Sequence, residues 1–184
     1  MKTVCVFTSS AEGVDEQYHA VAAELGAAIG ERGWTLLYGG TLTGTMRPLA
    51  EAARHAGGPV EGVCLESFVD LGIHDTDADD LLVVTSLGER KEVMIHRSDA
   101  FVVLPGGFGT MDELLEVVSQ RQLRMHNKPC VIVDHGGYYT PLLGFFELMR
   151  SLDFAYDTTI GAYQVAQDVA SAMTALRHAL AEPA

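Results

Sequence analysis

The 184-residue sequence is poor in several features that mark whole classes of protein. It has three cysteines, Cys5, Cys64 and Cys130, none close to another. Their odd number and wide spacing argue against a disulfide framework and a zinc site. Each lies in an apolar, strand-like segment, as expected of a small buried hydrophobe in a reducing compartment. Positive charge is also scarce: 12 Lys and Arg against 25 Asp and Glu give a formal net charge of −13, the wrong sign for a nucleic-acid surface. No apolar run approaches the roughly 18 residues of a membrane span. The apolar part of Met1 to Phe7 is too short for a signal peptide and reads as a first strand. A cytoplasmic protein without nucleic-acid or membrane partners is the expectation.

Catalytic signatures are missing as well. No Gly-x-Ser-x-Gly occurs, and the seven histidines show no ligand-like pairing. No Gly-x-Gly-x-x-Gly follows the first strand, which argues against a redox enzyme using NAD. The acidic run Asp75, Asp77, Asp79 and Asp80 lacks the glycine and glutamate of a calcium loop, so it is expected to be a solvated loop. Neither a metal nor a cofactor is expected.

What is present is a regular alternation. Hydrophobic residues make up 48% of the chain and charged ones 20%, a balance that supports a buried core. Strand-like runs at Thr3 to Phe7, Trp34 to Tyr38, Pro59 to Leu65, Leu81 to Val84, Ala100 to Leu104, Cys130 to Val133 and Ile160 to Val165 alternate with helix-like segments. Asp15 and Asp168 read as helix caps, and Thr140-Pro141 as a helix start. The pattern predicts one α/β domain over 1–184, a Rossmann-like, doubly wound parallel sheet flanked by helices. Ligands of such sheets bind at the carboxyl ends of the strands. Three loops fall there: Thr8 to Gly13, Gly39 to Thr45 and Pro105 to Thr110.

The third loop is the most informative. Leu104-Pro105-Gly106-Gly107-Phe108-Gly109-Thr110-Met111-Asp112-Glu113 joins a strand to a helix through a glycine-rich turn, which makes an anion site of the free amides at the helix start. It also brings Asp112 and Glu113 into what reads as the helix's first turn. Two readings of Glu113 stand open. Thr110-Met111-Asp112-Glu113 fits a capping box, whereas Gly-Gly-Phe-Gly is more permissive than a cap requires and suggests chemistry on a phosphorylated substrate. Ser86-Leu87-Gly88-Glu89 is a second candidate box. It starts a helix with Arg90, Met94 and Arg97 on one face, and a guanidinium in its first turn could hold phosphate or orient a carboxylate. Tyr138-Tyr139 reads as packing against neighbouring helices, with aromatic stacking on a base as the alternative.

Together these residues resemble the Lonely Guy family of phosphoribohydrolases, long labelled lysine decarboxylases. Pro-Gly-Gly-x-Gly-Thr-x-x-Glu is met at Pro105 to Glu113, and Glu-Arg-Lys followed by Met at Glu89, Arg90, Lys91 and Met94. Tyr38-Gly39-Gly40, His126, Lys128-Pro129 and Gly137-Tyr138-Tyr139 extend the similarity. The resemblance implies a Rossmann-like homodimer that hydrolyses the N-glycosidic bond of a nucleoside 5'-monophosphate. It implies that Arg90 and Glu113 are catalytic. The implied substrate-binding set is Ser9, Gly40, Lys91, Met94, Pro105, Gly106, Gly107, Phe108, Gly109, Thr110, Met111 and Asp112. Departures from the family pattern fall at Thr8, Thr41, Arg47, Gly88 and Gln120; they bear on the base rather than on the catalytic pair. The alternative is a non-catalytic nucleotide or molybdenum-cofactor carrier, which would use the cradle without breaking a bond.

Overall fold

The computed structural model describes residues 1–155 and 161–180. Along the chain run β1 (Thr3–Phe7), α1 (Glu16–Gly30), β2 (Thr35–Tyr38), α2 (Met46–His55), β3 (Val60–Leu65), α3 (Glu66–Asp70), β4 (Asp80–Val84) and α4 (Leu87–Arg97). They are followed by β5 (Ala100–Val103), α5 (Phe108–Gln122), β6 (Cys130–Val133), a 3-10 turn (His135–Gly137), α6 (Thr140–Ser151), β7 (Gln164–Ala166) and α7 (Val169–Leu180). Seven strands form one sheet in the order β4-β3-β2-β1-β5-β6-β7, every neighbouring pair parallel. The expected doubly wound sheet is therefore present. Its winding reverses between β1 and β5, whose register runs from Val4 opposite Ala100 to Phe7 opposite Val103. The two strands end level, so the loops that follow them open side by side at the switch point.

Strand composition follows from burial on both faces. β1, β2, β5 and β6 are almost continuously apolar and buried, as strands covered by helices on each side must be. Alternate residues of β1 divide between two cores: Val4 and Val6 pack with Leu25, Leu49 and Leu176, whereas Cys5 and Phe7 pack with Met94, Leu114 and Val117. All three cysteines are free and buried.

Two helix starts follow the sequence closely and a third is shifted. Asp15 accepts the Gln17 amide at 3.0 Å, and Asp168 accepts the Ser171 amide at 2.8 Å. At α6, however, Thr140 is already helical and no side chain caps the first turn; Asp134 instead accepts the Tyr139 amide at 2.6 Å and the Thr140 hydroxyl at 2.9 Å. The last strand is shorter than expected, Gln164–Ala166, and Ile160 lies outside the described residues. The acidic loop is not simply solvated. Asp75 is 1% exposed and accepts from the Tyr38 hydroxyl at 2.7 Å, Arg54 at 2.6 Å and the Asp77 amide at 3.0 Å, while Asp79 accepts the Val60 amide at 2.8 Å. These carboxylates hold backbone and buried side chains, and that use outweighs solvation. No helix among the described residues is long and apolar enough to cross a membrane.

Candidate active site

β5 runs into the turn Leu104 to Gly107, and α5 begins at Phe108 with Gly107 as its extended N-cap (φ −87°, ψ −156°). No side chain caps this helix, so its first amides remain available to a ligand and the helix dipole favours an anion there. The capping-box reading of Thr110 and Glu113 is overturned, because both residues lie inside the helix. Likewise Asp112 and Glu113 belong to its second turn rather than its first. The Thr110 hydroxyl instead donates to the Thr8 carbonyl at 3.0 Å. A side chain on Gly106 would place Cβ 2.1 Å from Thr110 Oγ1, so this close approach requires glycine.

The three expected loops meet here. The Thr8 and Thr45 hydroxyls are 2.7 Å apart. Thr45 Oγ1 donates to the Ser9 carbonyl and accepts the Ser9 amide, both at 3.1 Å. The Tyr138 and Tyr139 hydroxyls donate to the carbonyls of Gly106 and Leu104, each at 2.7 Å.

Arg90 enters from the first turn of α4. That helix is capped as expected, with the Ser86 hydroxyl accepting the Glu89 amide at 3.2 Å. The Glu89 carboxylate reaches back one residue further than the usual box, to the Thr85 amide at 3.0 Å. Every guanidinium nitrogen of Arg90 is engaged: Nε with Val63 O at 2.8 Å, Nη2 with Gly39 O at 3.0 Å and Nη1 with Glu113 Oε1 at 3.2 Å. A Cβ on Gly39 would lie 2.2 Å from Arg90 Nη2, so the β2 turn is glycine where the guanidinium passes. Glu113 is only 8% exposed. Burial pushes its pKa up to about 7; Arg90 opposes the rise, Asp112 adds to it, and Lys91 opposes it weakly.

These groups line a cleft of about 430 Å³. Of the residues expected from sequence, Ser9, Arg90, Gly107, Phe108, Gly109, Thr110 and Glu113 line it together. The others do not. Met94 is buried in the core. Lys91 turns to Asp112 and Glu116, at 2.8 and 3.2 Å, and ties α4 to α5. Gly40 lies behind the cleft, where its carbonyl accepts the Asp75 amide at 2.9 Å. Pro105, Gly106 and Met111 also stand off the lining, and Met111 packs against the core instead. The sequence reading missed Met46, Phe68, Ile73 and Leu87, which form an apolar wall with Phe108. Phe68 and Ile73 reach the cleft because the segment after α3 pairs with the β2 loop: Thr41 bridges His74, and the Leu42 amide donates to Ile73 O at 3.0 Å. Among the described residues, no group of three or more His, Cys, Asp or Glu is placed to hold a metal ion.

The cleft therefore combines the free amides at the start of α5, several apolar side chains and a buried carboxyl. Comparison with known proteins gives two kinds of relative. A family model described as possible lysine decarboxylase matches residues 46–176. The chain is 41% identical over 155 residues to the cytokinin riboside 5'-monophosphate phosphoribohydrolase of Mycobacterium tuberculosis, covering 84% of this chain and 83% of that one. It is 38% identical over 178 residues to the protein of the same name from Rhodococcoides fascians, covering 96% and 89%. Among solved structures, the molybdenum cofactor carrier protein of Chlamydomonas reinhardtii matches with a TM-score of 0.75 at 28% identity, covering 98% and 99%. DNA processing protein A of Streptococcus pneumoniae shares the fold alone, with a TM-score of 0.61 at 11% identity over 95% and 61%.

Proposed function

The chain belongs to the Lonely Guy family, whose model is described as possible lysine decarboxylase, and on that premise we propose that it is a phosphoribohydrolase. It cleaves the N-glycosidic bond of a cytokinin-type nucleoside 5'-monophosphate, yielding free base and ribose 5-phosphate. One observation carries the reading: an arginine-held carboxyl, Glu113, lies in the same cleft as the uncapped amides of α5.

Bond cleavage develops positive charge on the ribose. Ionised Glu113 stabilises that charge and draws a proton from the attacking water. Arg90 has its guanidinium committed to two carbonyls and to Glu113, so its role is to orient the carboxylate and favour its ionised form. The amides from Gly107 to Thr110 hold the 5'-phosphate, and binding energy from this remote group fixes the anomeric carbon beside Glu113. The wall of Met46, Phe68, Ile73 and Leu87 receives the base and favours an apolar N6 substituent over a bare amino group. No metal or cofactor takes part in this scheme. The proposed setting is the cytoplasm, as a homodimer and without nucleic-acid partners.

Incubation with AMP, an N6-alkylated AMP and the matching unphosphorylated riboside tests the proposal. Release of base and ribose 5-phosphate should be fastest from the alkylated monophosphate and slight from the riboside. A folded sample that turns over no monophosphate would sink it. The likeness to a molybdenum cofactor carrier supplies the rival reading, in which a pterin copurifies and no bond is cleaved. A buried carboxyl beside the cradle has no task in a carrier, which favours the hydrolase.

A further inference from the structure

We propose that Tyr138 is a positioning residue for the phosphate end of the cleft: its hydroxyl fixes the peptide between Gly106 and Gly107 so that the Gly107 amide faces the ligand. The proposal rests on reading the cleft as a phosphate site. The Tyr138 hydroxyl donates to Gly106 O at 2.7 Å. That carbonyl and the Gly107 N–H belong to one trans peptide, so they point in opposite directions. Tyr138 does not line the cleft, whereas Gly107 does. A carbonyl drawn toward Tyr138 therefore turns the neighbouring amide toward the cavity.

This peptide needs an external hold. It joins two glycines, so flipping its plane changes ψ of Gly106 and φ of Gly107 without side-chain cost. Gly107 is also the N-cap of α5, where its own amide has no partner within the helix. The adjacent tyrosine shows the contrast. Tyr139 donates to Leu104 O at 2.7 Å, but that carbonyl is followed by Pro105, which has no N–H to aim. Tyr139 anchors the strand end; Tyr138 sets a donor.

Tyr138 is 43% exposed, but neighbouring rings brace it. Its ring meets Tyr18 edge-on at 5.9 Å and Tyr139 at 5.0 Å. Tyr139 is fully buried, with its amide bonded to Asp134. The hold thus runs from the end of β6 through the tyrosine pair to the glycine turn.

The test is Tyr138→Phe, which keeps the ring and removes only the hydroxyl. Binding of ribose 5-phosphate and of ribose is measured by calorimetry, together with kcat and KM for a monophosphate and the melting temperature. Ribose 5-phosphate should bind roughly tenfold more weakly, as expected for one lost charge-assisted hydrogen bond. kcat/KM for the monophosphate should fall by at least the same factor, while the weak binding of ribose and the melting temperature stay close to wild type. A merely structural role would lower the melting temperature and move both sugars alike. Unchanged ribose 5-phosphate binding in the Phe variant overturns the proposal. If that variant does not fold, Tyr18→Leu, which removes the supporting ring, should weaken ribose 5-phosphate selectively; no such weakening overturns the proposal. Wild-type protein that does not prefer ribose 5-phosphate to ribose overturns it together with the phosphate reading. Phosphate-dependent binding without turnover counts against the hydrolase alone, and the Tyr138 comparison still decides this inference.

Discussion

Glu113 combines two opposed influences, a burial that resists ionisation and an arginine that favours it, and burial is the larger. Its pKa of about 7 exceeds the ordinary carboxyl value of 4.5. Between these values the native state binds more protons than the unfolded chain, so stability falls as pH rises. The contribution is fully present below about pH 4.5 and is lost as pH passes about 7. Glu113→Gln removes this dependence while keeping the side chain's size. Relative to wild type, the variant should gain on the order of 2–3 kcal/mol between pH 5 and pH 8. The difference in melting temperature should therefore shift in its favour by several degrees. Its turnover should be nearly abolished at every pH, and wild-type kcat/KM should rise through about pH 7 as the carboxyl ionises. A pH-independent difference in melting temperature, or a variant that retains activity, would contradict these assignments. The acid and its arginine were legible in the sequence because each sits in a compact motif. What the motif could not give was the helix start. Thr110-x-x-Glu113 imitates a capping box, but the helix begins at Phe108, and only the fold shows the Thr110 hydroxyl reaching across to Thr8.

Among the elements, α4 and the segment after α3 set the walls of the cleft. Ser86 caps α4 at 3.2 Å, one turn before Arg90. Ser86→Ala should lower stability by about 1 kcal/mol, or roughly 2–4 °C in melting temperature for a chain of this size. Turnover per folded molecule should hold, because Arg90 is fixed by three other bonds; a large fall in turnover with an unchanged melting temperature would reverse that view. Asp75 does the corresponding work on the other wall by binding Tyr38, Arg54 and the Asp77 amide. Asp75→Asn should destabilise by about 2 kcal/mol, since it leaves a cation without its partner, with the effect reduced by solvent reaching Arg54. It should also raise KM for an N6-alkylated monophosphate more than for AMP, because Phe68 and Ile73 are held through this segment. Equal changes for both substrates would show that the wall does not contact the base. Caps revealed α1, α4 and α7 because those signals are local. The segment after α3 was not legible: its Thr41–His74 bridge joins residues far apart in sequence, and the aspartates that hold it resemble any solvated acidic run.

At the scale of the whole molecule, the doubly wound sheet was readable from the alternation of strands and helices, but the surface left over was not. α6 buries none of its residues fully. Phe145, Leu148, Leu152 and Phe154 are each at least half exposed, and Leu115 of α5 is nearly so. Apolar exposure of this extent commonly marks an interface, and a second copy of the chain is the occupant expected of a homodimer. Two copies each carrying a formal charge of −13 also repel one another. Salt screens that repulsion over about 10 Å at 0.1 M, and over less at higher ionic strength, while leaving apolar contact intact or strengthened. Self-association should therefore tighten as sodium chloride is raised, the opposite of an interface held by ion pairs. Light scattering should give twice the monomer mass, with the dimer fraction rising with salt at fixed protein concentration. Leu148→Glu, which adds both charge and hydration to the exposed face, should give a folded monomer that melts below the wild-type dimer, because it lacks the stabilisation that association adds. A wild-type monomer at every salt concentration, or a dimer indifferent to Leu148→Glu, would place the contact elsewhere or remove it, and would leave the exposed face of α6 without a partner of its own kind.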